Sequence, residues 1–407
     1  MPNTELNNKD WGGIAITGMG VISAIGHTTA ENLEALMASN QGIAQVSNVA
    51  TRHHQQIRVG EIANTNEELA NELLLPKDNN YSRTALIGTV AAKEALAQAG
   101  VTEIQEYRTG FISATSVGGM DMTERYFASY ENTPEVRKYI SSHHAADGTQ
   151  KIAEQLGITE FVTTISTACS SAANAIMLGA RLIRSGRLDR VVVGGVDCLS
   201  KFTINGFKTL MILSDEDCTP FDAHRKGLNL GEAAAYLVLE SQTLVAKENK
   251  EVLAYLTGYA NANDAFHQTA SSANGEGAYL AMKKALQVAR IDSNDIDYIN
   301  AHGTATPNND LSEGIALERI FGTRVPDFSS TKAFTGHTLA AAGAIEAVYS
   351  VLALQHQVVF PNLHFKTPMP EVNLKPAMTL QKKNIQHVLS NSFGFGGNCS
   401  TLIFSKE

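Results

Sequence analysis

Two stretches of this chain repeat one pattern. The first, AAKEALAQAGVTEIQEYRTGFISATS, starts at Ala91, and the second, AMKKALQVARIDSNDIDYINAHGTAT, starts at Ala281. Each reads as an amphipathic helix, a short acidic linker and a strand that ends in small hydroxyl residues. A second pair sharpens the repeat: TACSSAANAI from Thr167 and TGHTLAAAGAI from Thr335. Both put a chemically reactive residue third, Cys169 in one and His337 in the other, and follow it with a run of small side chains at helical spacing. A repeat this long is a domain duplication, not a solenoid. The expected halves are residues 1–250 and 251–407, divided near the charged, aperiodic VAKENKEV.

Short apolar runs supply the strands: RVVVGGV from Arg190, AAAYLVLE from Ala233, DYINAHG from Asp297 and STLIFS from Ser400. They alternate with helices and are apolar on both faces, which predicts α/β layers with sheets covered on both sides. The opening GIAITGMGVISAIG reads as a strand, a glycine turn and a helix start. Its Gly18-x-Gly20-x-x-Ser23 lacks the third glycine and the following acidic residue of a dinucleotide fingerprint, so a tight turn is the better reading.

With 43% apolar and 18% charged residues, a large core is available. A net charge of −9 makes general nucleic-acid binding a poor fit. The polar MPNTELNNKDW start lacks the apolar core of a signal peptide, and no stretch is expected to reach the roughly 18 apolar residues of a membrane span. The four cysteines, Cys169, Cys198, Cys218 and Cys399, lack C-x-x-C spacing. Neither disulfides nor zinc is expected, and the setting reads as cytoplasmic.

Cys169 is the first candidate for chemistry. A thiol at a helix N-terminus feels the positive end of the backbone dipole, which favours thiolate, and the free N–H groups there suit an oxyanion. Ser166 or Thr167 offers a cap. His302 sits at a predicted strand end in NAHGTATPNND. His337 opens a small-residue helix, a position that biases imidazole toward neutrality, and Lys332 lies just before it. Glu346 follows on that helix, either as a buried partner for Lys332 or as a solvated carboxylate. NSFGFGG, Asn391 to Gly397, is a loop where backbone can approach a ligand closely, or a tight turn before the last strand.

Together these residues resemble the β-ketoacyl-acyl carrier protein synthases of thiolase type, elongating condensing enzymes with a Cys-His-His set. The resemblance runs from about Gly13 to Phe404 and rests on TACSSA, PFDAHRKGLNLGEAAAYLVLE, NAHGTATPNND, SSTKAFTGHTLAAAGAIE and NSFGFGG. It implies a thiolase-like duplicated fold, layered α-β-α-β-α with two mixed sheets. It implies that Cys169 accepts the acyl chain, and that His302 and His337 stabilise the enolate left when malonyl-acyl carrier protein loses CO₂. Lys332 would hold the local charge with Glu346, and the backbone N–H groups of Cys169 and Phe395 would form the oxyanion hole. Phe395 would act as a gate swinging on Gly394 and Gly396, with Asp310 and Glu313 as supporting acids. No cofactor or metal is implied, because the substrates ride on the phosphopantetheine of an acidic acyl carrier protein.

The resemblance further implies a homodimer, or a heterodimer with a related ketosynthase-like subunit, formed through the strand DRVVVGGVDCL. Lys77, Arg83, Arg125, Arg137, Lys138 and Lys208 are the candidates for carrier docking. Two departures stand out: Asn398-Cys399 where the family commonly has Thr-Asn, and an unusually polar stretch between Gly118 and Gly157. The alternative reading is a non-catalytic, chain-length-factor-like subunit, which would characteristically lack the cysteine.

Overall fold

The structure, a computed structural model, describes residues 13–406, so the polar start of the chain lies outside it. The first half supplies β1 (Ile14–Ser23), β2 (Thr109–Ala114), β3 (Phe161–Ile165), β4 (Arg190–Asp197) and β5 (Ala233–Glu240). The second supplies β6 (Ala254–Asn263), β7 (Tyr298–Asn300), β8 (Asp327–Ser329), β9 (His387–Gly394) and β10 (Asn398–Ser405). Their order in space is β8-β7-β9-β10-β6-β1-β5-β4-β2-β3. Numbered within its own half, each set of five runs 3-2-4-5-1 and has the same parallel and antiparallel pairings. The two mixed sheets therefore exist as two halves, joined edge to edge by the pairs Ile14–Leu256, Ala15–Tyr255 and Ile16–Ala254.

Helices α1 (Arg83–Gln98), α2 (Ala146–Leu156), α3 (Ser171–Arg184), α4 (Glu276–Ala289), α5 (Pro307–Phe321) and α6 (Ala342–His356) complete the layers. In the repeated unit, α1 and β2 correspond to α4 and β7, each pair joined through a single 3₁₀ turn. Helix α1 packs on β1 and β5, and α4 on β6 and β10. Between the half-sheets lie α3 and α6, the two helices that follow Cys169 and His337. Every residue from Ala342 to Leu354 is buried, as a helix apolar all round requires.

Three expectations need correction. Gly18 and Gly20 do not form a turn: β1 runs straight through them, and a Cβ at either would come within 2.2 Å or 2.1 Å of a carbonyl oxygen of α1, so these glycines let the helix lie against the strand. The stretch Leu339–His356 is long and apolar enough to cross a membrane, with mean hydropathy 1.2, but 89% of it is buried inside the fold as the central helix. Finally, β4, expected at a subunit contact, is fully buried and paired on both sides by β2 and β5. The free edge of the first half is β3, all of whose residues are half-buried.

Candidate active site

Cys169 lies in the tight link between β3 and α3. The helix starts at Ser171, and neither Ser166 nor Thr167 caps it; the N-cap is Ser170. Ala168, just before the cysteine, has φ 52°, a left-handed conformation that is costly for a side chain bearing Cβ and commonly found at functional sites. The turn points the sulfur into a cavity of about 310 Å³, a size suited to a small ligand. The backbone N–H groups of Phe395 and of Cys169 itself lie beside the sulfur, where they favour negative charge. Two donors from distant segments thus converge where an oxyanion on a bound acyl carbon would form.

The helix-end argument predicted a thiolate. Burial wins instead and pushes the Cys169 thiol up to about 11, against the pull of Lys332 and the two N–H groups. Cys169 therefore rests as S–H. Its alkylation by iodoacetamide should rise about tenfold per pH unit between about pH 7 and 10, following the thiolate fraction. A rate that levels off below pH 8 would mean that the helix end dominates after all.

His302 and His337 line the same cavity, their rings perpendicular at 89° with centroids 5.5 Å apart. Burial lowers both well below the usual imidazole range, and the neighbouring Lys332 charge adds to this, so both are neutral. Their tautomers follow from their partners. The Leu339 backbone N–H donates to His337 Nδ1 at 3.0 Å, and Lys332 Nζ, which has no lone pair, faces His302 Nδ1 at 3.3 Å. Each Nδ1 is an acceptor, so each ring proton sits on Nε2.

Behind the histidines, Lys332 is buried and ion-paired with the buried Glu346. Its remaining N–H groups go to the His302 carbonyl at 2.6 Å and to His302 Nδ1. Of the two readings of Glu346, the buried partner is the one found. Burial raises its carboxyl to about 7 despite the lysine. Glu313 accepts the backbone N–H groups of His302 at 2.9 Å and Gly303 at 2.8 Å, fixing the segment that carries the histidine. Asp310 accepts Phe221 N–H at 2.7 Å and Ala305 N–H at 3.1 Å one turn earlier. Both act through backbone and do not reach the cavity themselves.

The glycine loop closes one side. Gly396 and Gly397 adopt φ of 83° and 81°, where a Cβ is strained. The Phe395 ring stacks on Phe207 at 6.1 Å, which makes an aromatic lid over the mouth. A Cβ on Gly394 would lie 2.8 Å from Thr167 O and 3.1 Å from Cys169 N. Gly394→Ala must therefore displace the Cys169 turn. We expect acyl transfer to Cys169 to slow by roughly 10²-fold, the scale of a ~1 Å misplacement, as measured by quench-flow; a change under twofold would disprove the contact's importance.

Sequence reasoning missed Phe207 and also Phe393, whose ring lies 5.5 Å from that of His302. It also left the role of Asn398 open. This side chain does not touch the glycine hinge: its Oδ1 accepts from Ser170 Oγ at 2.7 Å and Asn174 Nδ2 at 2.9 Å, tying the loop's base to the cysteine turn. Cys399 lines the same cavity, its thiol pushed up by burial. Among the described residues, no group of three or more His, Cys, Asp or Glu side chains is placed to hold a metal ion. Of the docking candidates, Arg83 is eliminated: it is buried in a bidentate pair with Glu232, at 2.9 Å and 2.6 Å. Lys208 is half-buried, donates to Gln56 Oε1 at 3.0 Å and follows the lid residue Phe207 in the chain.

Comparison with known proteins follows the same lines. Residues 12–244 match the family Beta-ketoacyl synthase, N-terminal domain, and residues 253–366 match Beta-ketoacyl synthase, C-terminal domain. The chain is 32% identical to 3-oxoacyl-[acyl-carrier-protein] synthase 2 of Staphylococcus aureus (strain COL), over 97% of this chain and 98% of that one. Among solved structures it is similar to the ishigamide ketosynthase/chain length factor, with TM-score 0.90, 28% identity, and 97% and 99% of the two chains covered. It is also similar to one chain of the structure of a type II PKS acyl-carrier protein in complex with its ketosynthase bound to the hexaketide, with TM-score 0.85, 26% identity, and 97% and 99% of the two chains covered.

Proposed function

This chain belongs to the β-ketoacyl synthase family, and we propose that it joins an acyl thioester to malonyl-acyl carrier protein by decarboxylative Claisen condensation, releasing CO₂. The observation that carries this reading is the cavity itself. One thiol with two convergent N–H donors faces two neutral histidines whose Nε2–H groups are free to donate into the same space.

The chemistry divides into three steps. The Cys169 sulfur attacks the acyl carbonyl, a C–S bond forms, and the oxyanion rests on the N–H groups of Cys169 and Phe395. The tetrahedral centre collapses, the bond to the carrier's sulfur breaks, and that sulfur leaves with the proton from Cys169. The malonyl carrier then enters, and its carboxylate leaves as CO₂. The electron pair of the broken C–C bond becomes an enolate, whose oxygen accepts from His302 and His337 Nε2–H. The enolate carbon attacks the acyl-Cys169 carbonyl, and the tetrahedral centre collapses, expelling the Cys169 sulfur as thiolate, which takes one proton from water to regain its resting S–H. Neutral imidazoles suit the second step, because imidazolium would hold the malonyl carboxylate in place.

Losing either imidazole donor should cost about 10²–10³-fold in CO₂ release, the usual scale for one oxyanion donor. His302→Ala and His337→Ala should therefore show this loss with Cys169 acylation slowed far less. Equal losses in both half-reactions would reject the division of roles. The basic test is product formation: purified protein, acyl-carrier protein and malonyl-carrier protein should yield β-ketoacyl-carrier protein and one CO₂ per turnover.

The halves at 1–250 and 251–407 divide the labour in this reading, the first holding the nucleophile and the second both histidines and the lid. An acidic carrier protein docks near Lys208, beside the lid. A ketosynthase-like subunit, identical or related, pairs along β3, with the polar segment after Gly118 alongside, where Phe127 is 70% exposed. Four free, buried cysteines suit a cytoplasmic setting. The thin basic patch favours a dedicated carrier in a specialised polyene or polyketide pathway; equal turnover with a general fatty-acid carrier would count against that. The non-catalytic alternative is disfavoured by the retention of Cys169, His302 and His337 in one cavity, and stoichiometric labelling of Cys169 by cerulenin would exclude it.

A further inference from the structure

At the bottom of the interface between the halves lies Asp197, the last residue of β4, fully buried. No cation faces its carboxylate among its hydrogen-bond partners. Instead it accepts from four neutral donors: Thr115 Oγ1 at 2.5 Å, Ser116 N at 3.0 Å, Val117 N at 3.3 Å and, from the other half of the chain, Ala340 N at 2.9 Å. Burying a charge without a counter-ion is costly, so this arrangement calls for an explanation.

The fourth donor suggests one. Ala340 belongs to the 3₁₀ turn Leu339–Ala341, separated from His337 only by its N-cap Thr338. The residue before it, Leu339, has φ 54° and gives its N–H to His337 Nδ1. A left-handed leucine is strained unless its neighbours hold it. Asp197 holds one neighbour, and β4 supports the same turn from below. A Cβ on Gly195 would stand 3.1 Å from Ala340 O and 3.0 Å from the methyl groups of Ala114 and Ala172, so an alanine there presses on the turn by a few tenths of an ångström.

We infer that Asp197 is a positioning residue for His337: by anchoring the Ala340 N–H it keeps the Leu339 N–H on Nδ1 and so keeps the reactive proton on Nε2. A carboxylate of the first half thereby sets the tautomer of an imidazole in the second. Asparagine cannot substitute, because its NH₂ would face N–H groups that need an acceptor. The inference rests on the condensing role of His337 proposed above, but one of its readouts does not depend on activity.

The test compares wild-type protein, Asp197→Asn and Gly195→Ala; the glycine variant pushes the turn without touching the carboxylate. In protein carrying nitrogen-labelled histidine, NMR should show His337 of the wild type with an unprotonated Nδ1, and both variants with a mixture of tautomers. For decarboxylation of malonyl-carrier protein, kcat should fall at least tenfold in Asp197→Asn and at least threefold in Gly195→Ala, with KM within twofold and Cys169 alkylation no slower than wild type. Unchanged tautomer and kcat in the foldable variants would overturn the inference, as would a parallel fall in kcat and alkylation, which marks a merely structural role. Wild-type protein that releases no CO₂ would instead reject the condensation reading and leave the tautomer comparison to judge Asp197.

Discussion

Replacing Cys169 with alanine is expected to abolish condensation, lowering kcat by at least ~10³-fold, as loss of a covalent nucleophile does elsewhere. The fold should tolerate it. Cys169 is buried, but the change removes a single sulfur from a site that borders an open cavity. The stability cost should stay near 1 kcal/mol, about that of one buried methylene. Measured turnover and thermal midpoint together test this: a variant that keeps a tenth of wild-type activity would show that acyl groups reach the enolate without the thiol. Both histidines remain in the variant, so decarboxylation of malonyl-carrier protein should persist.

The second large effect concerns stability. Lys332→Met should cost about 3–5 kcal/mol, because Glu346 is left buried without its partner charge. The direction with pH follows from the carboxyl. Burial already raises Glu346 to about 7, above its ordinary value. A group whose folded pKa exceeds its unfolded pKa binds more protons when folded, so its contribution to stability falls as pH rises past the unfolded value. Removing Lys332 pushes the folded pKa higher still. The penalty should therefore be smallest near about pH 5 and grow toward about pH 8, as denaturant unfolding at several pH values would show. Lys332→Met combined with Glu346→Gln should recover most of the stability, since no unpaired charge remains. It should not recover decarboxylation, because His302 Nδ1 loses the ammonium that fixes its proton on Nε2. Recovery of both would make Lys332 a purely structural residue.

Much of this arrangement was legible in the sequence because duplication leaves marks that composition cannot hide. Strand β5 falls on AAAYLVLE residue for residue, and α1 with β2 has its counterpart in α4 with β7. Cys169 and His337 occupy equivalent places before the two central helices, so one repeat located two residues of the site. What escaped depends on depth and on long-range approach. The helix-end argument gave Cys169 a thiolate because it weighed a local dipole, whereas desolvation is set by the surrounding core. Gly18 and Gly20 looked like a turn because only the packed helix explains why a strand interior needs glycine. Arg83 read as a surface charge until the fold brought Glu232 to it from far along the chain. Asp197 carried no local signal at all, since its decisive partner, Ala340, lies in the other half.

The most direct test of the central claim is intact-protein mass spectrometry through one catalytic cycle. Incubation with acyl-carrier protein should add one acyl group to the wild type, mapping to Cys169, and malonyl-carrier protein should then discharge it with one CO₂ per acyl group. His302→Ala and His337→Ala should take up the acyl group and hold it. An acyl group found on another residue, or one that malonyl-carrier protein discharges equally fast from both histidine variants, would contradict the account.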